Sequence, residues 1–404
     1  MYKSLSVRVL TRNLLVVLGL ALFVLYFVRH FLEMQKGIDF CHFYAAARMV
    51  LDGRGAQLYD FAVQDYYLAR YTGRVSTYFN HPAFETLVYL PFSLWSLQTA
   101  YTLWCAFNAL LLLVTARLLG QSLDLRFSWP VLLLISFLFV PLLLNFLQGQ
   151  DSLLLLVLMS AAFVAAERKL DLVAGALLAC GLIKFHLAIP AVIVLAATLS
   201  VRTLKAFAAV TLGLLVLSLE ICGWPMMVRY PQFLHDLNHM PLAGMHSSGM
   251  ANLRGCWSSV LPQSPHLALL LTIVSSVAML GFAIHAAILA KSTGCERLVW
   301  VMAVLSATLV GYMLNPHDLT ILLLPLALIL DHLRSPAGTL SRSRGPMLLA
   351  AALLLLPPLH LLLLAGHLYV PIVLLILILY ATTYGEIRRG SRVRAAWAPA
   401  ASNR

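Results

Sequence analysis

Apolar runs of about twenty residues recur along most of this chain, separated by short polar turns. A helix rises 1.5 Å per residue, so about 20 such residues cover the roughly 30 Å of hydrocarbon in a bilayer. The pattern predicts spans at 13–32, 97–118, 129–147, 152–166, 206–223, 266–290, 298–314, 319–333, 347–364 and 369–386. The stretch 171–200 is also apolar, but Lys184, His186 and Pro190 interrupt its middle. It reads as two short helices, 171–183 and 187–200, meeting at "KFH" on the far side. Such a break is tolerable only where it is buried in protein or lines a cavity. The expectation is an all-α, polytopic integral membrane protein of about 12 transmembrane segments, with both termini on one side.

Two longer polar loops stand out, 33–96 and 224–265. In the first, "DFCHFYAAARMVLDG" places Phe40, Phe43, Ala47 and Val50 on one helical face, and Gly53 and Gly55 close it. "LYDFAVQDYYLARYTG" repeats the design, with aromatic residues suited to a membrane interface. Helices lying on the outer membrane surface are expected there, a soluble helical hairpin being the alternative.

Composition agrees with a membrane chain. Of 404 residues, 61% are hydrophobic and 11% charged, against about 25% charged in soluble domains. The net charge of +12 would suggest nucleic acid for a soluble protein. Here the basic residues fall between apolar runs, so nucleic acid is not expected as a partner. With both termini inside, the cytoplasmic side collects Arg126, Arg168, Lys169, Arg202, Lys205, Lys291, Arg297, Arg334, Arg342, Arg344 and the tail arginines. The opposite turns "QGQD", "NPHD" and "GHLY" hold no lysine or arginine. That asymmetry orients the chain, with the two long loops outside a cell membrane. Lys3, Arg8 and Arg12 precede an uncleaved first span. Residues 1–389 read as one transmembrane domain and 390–404 as a disordered basic cytoplasmic tail. The six cysteines form no CxxC pair, and only Cys41 with Cys256 leaves a disulfide open.

This topology gathers polar residues at one level: Asp39, His42, Tyr44, Arg48, Asn80, His81, Gln148, Gln150, Asp151, Lys184, His186, Arg254, Asn315, His317 and Asp318. Ionisable groups at the edge of a bundle are costly unless they face a cavity or a partner. Other motifs lead nowhere. His235 and His239 lack the adjacent glutamate and third ligand of a zinc hydrolase. Ser247–Ser248 lacks the context of a serine nucleophile, and no phosphate-binding loop is present.

Four stretches, "DFCHFYAAARMVLDGRGAQLYD", "YFNHPAFETLVYLPF", "FLQGQDSLLLLVL" and "AGALLACGLIKFHLAIP", are similar in order and spacing to glycosyltransferase family 87 of the GT-C superfamily. The similarity covers most of 35–200. It implies a GT-C-like membrane enzyme using a polyprenyl-phosphate sugar, often mannose, as donor. The best-known relatives elongate phosphatidylinositol mannosides and carry a serine-proline stretch with tandem histidines before a late span. Here "LNPHDLTILLLP" stands in its place, with one histidine.

Such a transfer needs a base for the acceptor hydroxyl and donors or cations on the departing phosphate. Asp39, directly after the first span, is the expected base, with inversion at the anomeric centre. Lys184 is the expected phosphate charge, a lysine snorkelling to the surface being the alternative. His42, Arg48, His81, Gln150, His186, Arg254 and His317 are the other expected donor-phosphate or sugar ligands. The expected acceptor is an extracytoplasmic glycolipid or glycan. No DxD motif is present, so no metal and no cofactor are expected. A transporter or flippase for a lipid-linked sugar is the alternative, but it calls for matching broken helices in two repeats, and the chain offers one broken pair.

Overall fold

The computed structural model describes residues 38–73, 77–125, 129–240, 247–291, 294–335, 338, 341–366 and 368–397. The expected span 13–32 and its basic flank lie outside the described residues, as do 398–404. The described residues form helices and turns, with no strand among them.

The first helices, α1 (Ile38–Leu51), α2 (Phe61–Thr72) and α3 (Thr86–Ser93), follow the local signals. Asp60 caps α2 by accepting from the Ala62 and Val63 amides, and Gly73 ends it at φ 66°. Together with the start of α4 (Leu97–Ser122) they enclose an aromatic core. Phe43 stacks on Tyr89 at 4.4 Å, and Tyr89 meets Trp104 at 4.5 Å. In α1, Phe40, Cys41, Phe43, Ala45–Ala47 and Met49 are all buried. This differs from a surface helix with one apolar face: the loop folds over α1 and covers it on all sides.

The apolar body follows as α5 (Trp129–Ser136), α6 (Val140–Gln148), α7 (Ser152–Glu167), α8 (Asp171–Cys180), α9 (Phe185–Leu195) and α10 (Val201–Asn238). The short α11 (Leu253–Val260) precedes α12 (Pro265–Ala290), α13 (Glu296–Val310) and α14 (Leu323–Arg334). The chain ends with α15 (Arg344–Leu354), α16 (Pro357–Gly366) and α17 (Val370–Trp397). The last helix thus carries on through 390–397, which the sequence reading assigns to a disordered tail.

Among the described residues, six helices are long and apolar enough to cross a membrane. The pair α15–α16, bent by 61°, makes a seventh. The described residues thus bear out a membrane bundle with six or seven candidate crossings, against the about twelve expected for the whole chain. Helix α7 has 16 residues and α13 has 15, and α5 and α6 are separated by a break. These fall short of the length an independent span needs.

By length and apolarity 171–195 could be one 25-residue span, but its packing makes it a hairpin. Lys184 leaves the helical region at φ −112° and ψ 66°. A Cβ built on Gly181 lies 3.8 Å from that of Ala188, where a straight helix would separate the two by about 10 Å. Thr203 Oγ1, at the start of α10, donates to Asp171 Oδ1 at 3.3 Å, so both ends of the hairpin return to one level. The gap between them is closed by turns rather than by extended chain.

That level is one pole of the molecule. Arg297 bridges Glu167 at 2.7 Å and Asp331 at 2.8 Å, and Asp331 also accepts from the Asp124 amide. Glu386 holds Arg389 and Ser341 beside them in the fold's last turns. The starts of α1, α7 and the segment 316–322 meet at the opposite pole. Helix α10 reaches that pole through a kink at Gly223, whose φ of 74° and ψ of 161° suit glycine alone. Beyond the kink Tyr230 donates to the Asn80 carbonyl, and Phe233 packs on Tyr59 at 5.4 Å. None of the six cysteines forms a disulfide, Cys41 and Cys256 included.

Candidate functional site

At the pole away from the Arg297 network lies a cavity of about 800 Å³. Four separate turns deliver its polar lining, each by its own local rule. Asp39 occupies the first turn of α1, where a carboxylate complements the helix dipole. His81 precedes a single 3₁₀ turn, Ala83–Glu85, that leads into α3. Gln150 and Asp151 follow Gly149, whose φ is +72°. A Cβ on Gly149 would come within 2.6 Å of the Phe40 Cβ, so only glycine lets this turn approach α1. His317 and Asp318 sit on the 3₁₀ segment Pro316–Leu322. There the Asp318 side chain accepts from the Asn315 amide and closes a capping box.

Lys184, at the apex of the α8–α9 hairpin, ties these turns together. Its Nζ lies 2.8 Å from Asp151 Oδ1 and 2.7 Å from Asp318 Oδ1, and it donates to Gln150 Oε1 at 3.4 Å. With 2% of its surface exposed, it is a buried ammonium between two carboxylates and does not snorkel. Ser152 donates to Asp318 Oδ1 at 3.0 Å. From the other side, Gln150 Nε2 donates to Asp39 Oδ2 at 2.8 Å. One amide thus connects the half-buried Asp39 to the buried lysine.

Burial raises the pKa of Asp39, and His317, Gln150 and Lys184 only partly offset it. The carboxylate is therefore a stronger base than an exposed one. His42 bonds Thr77 Oγ1 at 2.8 Å and stacks over His81 at 6.0 Å. Burial pushes both imidazoles down, His81 to about 4 and His42 well below its ordinary value, so each is neutral near pH 7. His317 Nδ1 contacts Gln148 Oε1 at 2.6 Å. His186 lines the cavity, and its Nε2 has no hydrogen-bond partner.

Of the residues singled out from sequence, the fold brings Asp39, His42, His81, Gln150, Lys184, His186 and His317 to this cavity. Arg48 does not line it. It stacks on Tyr44 and Tyr71 and donates to the Tyr44 hydroxyl. Arg254 stands behind the rim, stacked on Tyr312 at 4.6 Å and donating to Asn238. Asp151 and Asp318 emerge as the acids that hold Lys184.

Glu85 escaped the sequence reading. It is fully buried, with Oε2 at 2.8 Å from His81 Nδ1. Burial, with Asp151 beside it, pushes its carboxyl well above the usual range. The one available signal was its place four residues after His81, one helical turn on. His235 near the end of α10 and His239 just after it stay together and exposed, outside the cavity lining.

No curated protein and no solved structure matches this chain. The model of glycosyltransferase family 87 matches residues 79–316, well over half of the sequence. The matched region contains His81, Glu85, Gln150, Asp151 and Lys184, and it stops just short of His317. A match of that extent, running through two of the four turns that build the cavity and through the Lys184 apex that ties them together, makes this helical membrane chain a member of glycosyltransferase family 87.

Proposed function

We propose that the protein transfers a hexose, mannose in the first instance, from a polyprenyl-phosphate sugar to a glycolipid or glycan outside the cell membrane. The observation that carries this reading is Asp39. Its carboxylate stands on the wall of a cavity large enough for a sugar and a phosphate, half-buried and oriented by Gln150.

In the reaction the acceptor hydroxyl oxygen attacks the anomeric carbon in line, as its proton passes to Asp39. The bond from that carbon to the phosphate oxygen breaks, and the phosphate leaves with the electron pair. One displacement inverts the anomeric centre. His42, His81, His186 and His317 line the space around the reacting groups and supply ring N–H donors for phosphate or sugar oxygens. Lys184, buried in the cavity wall, acts through its neighbours: its charge is answered by Asp151 and Asp318, and it steadies Gln150. Family membership favours transfer over transport. The absence of lysine and arginine in the turns at 148–151, 315–318 and 366–369 favours an outward-facing cavity, with the basic pole in the cytoplasm.

Purified protein given polyprenyl-phosphate mannose and a glycolipid acceptor should form product. Asp39→Asn keeps the shape of the side chain and removes its basicity. It should lower turnover by about 10²–10⁴-fold while donor binding survives. Near-normal transfer by that variant would take the base away from Asp39.

A further inference from the structure

The cavity wall is short of positive charge. Three carboxylates, Asp39, Asp151 and Asp318, stand around one ammonium, Lys184, which is the only lysine or arginine among the described lining residues, and the Glu85 carboxyl is buried behind them. If the donor carries a phosphate, as proposed above, such a wall would repel it. Buried ionised groups call for a counter-charge.

The geometry supplies a place for one. His81 Nδ1 and one carboxylate oxygen each from Glu85 and Asp151 lie within 4.8 Å of one another. The His81 Nδ1 and Glu85 Oε2 atoms are 2.8 Å apart, and the Glu85 carboxyl stands against that of Asp151. Two ligand atoms bound at about 2.1 Å to one octahedral ion stand about 3 Å apart, so this close pair has the spacing of a coordination edge. Lys184 lies against Oδ1 of Asp151, which leaves Oδ2 for a second neighbour. Both acids are fully buried, and His81 reaches the cavity.

We infer that His81, Glu85 and Asp151 form a binding site for a divalent cation at the cavity wall. One imidazole and two carboxylates, with no thiolate, suit an ion of the Mn²⁺ type. Lys184 then serves as the outer partner that orients Asp151, as hydrogen-bonded groups around metal ligands do. Its bound ion would present positive charge beside His81, where the sugar phosphate is proposed to lie. This goes against the expectation of no metal drawn from the missing DxD motif. The three ligands come from two turns about seventy residues apart in sequence, a spacing no short motif records.

The test uses full-length protein in detergent, stripped with EDTA, dialysed and titrated with Mn²⁺, the free ion being read by electron paramagnetic resonance. About one Mn²⁺ per chain should bind. Glu85→Gln and His81→Gln should each weaken binding by at least about tenfold, the loss that removing even an outer partner brings. His81 sits at the cavity edge, so its variant serves if Glu85→Gln fails to fold. No saturable binding by the wild type would overturn the site and leave a proton on Glu85 as the way the charge is relieved. Binding unchanged in both variants would overturn it equally. Because binding is read without substrate, a chain that takes up Mn²⁺ through these residues but transfers no sugar supports the metal site and defeats the donor assignment.

Discussion

At Asp39 the chemistry turns on one amide. Gln150 donates to the carboxylate and so favours its charged form, while burial works the other way and wins. A base must be deprotonated to act, so transfer should rise with pH through the pKa of Asp39, above the ordinary value of about 4. The groups facing it are His317, Lys184 and Asp318, two lowering its pKa and one raising it. Gln150→Leu removes a bond to the charged form, so its acid limb in kcat/KM should lie at higher pH than the wild type's. A profile that stays in place would detach Gln150 from the base. Asp39 itself was legible in the sequence, because a carboxylate directly after an apolar run is costly without a purpose. Glu85 was not, since nothing in "HPAFE" says that the chain folds it beside Asp151. Arg48 and Arg254 show the converse: both are polar residues at the right level, but each is committed to an aromatic ring and neither lines the cavity.

Among the elements, the α8–α9 hairpin shows what sequence pattern reads well. Lys184 and Pro190 in an apolar run pointed to a break, and the chain does turn at Lys184. Helix ends were less legible: the turn is a 3₁₀ segment, Gly181–Lys184, and α9 stops at Leu195 rather than 200. The partners of the lysine were out of reach too, because Asp318 is 134 residues away. Removing one partner of a buried ion pair strands the others. Lys184→Met should therefore cost about 3–5 kcal/mol, seen as a lower melting temperature in detergent. Adding Asp151→Asn and Asp318→Asn should recover much of that loss. A lysine whose charge reached water would show no such loss.

For the molecule as a whole, the hairpin decides which residues share a side. Asp171 and Thr203 meet, so the connections on either side of 171–195 open on one face. Reporters fused after Arg168 and after Arg202 should read the same compartment, the cytoplasm, and a reporter within 60–72 should read the outside. Opposite readings at Arg168 and Arg202 would make 171–195 a single crossing. Composition made the membrane class plain. The number of crossings was harder to read, because helices as short as α7 and α13 are sheltered by neighbours and need not satisfy the length rule alone.

The ion cluster at the hairpin apex also constrains the order in which the chain can be put together. Asp151 is synthesised before Lys184, so the ammonium can enter the bilayer as half of a neutral pair rather than as a bare charge, which costs about 2.5–3.5 kcal/mol at the centre of a helix. Asp318 joins only after 134 further residues have been made. Until then Lys184 has one carboxylate instead of two, and the wall of the cavity stays open. The amino-terminal half can thus be inserted early, but the pocket closes only when the last third of the chain leaves the ribosome.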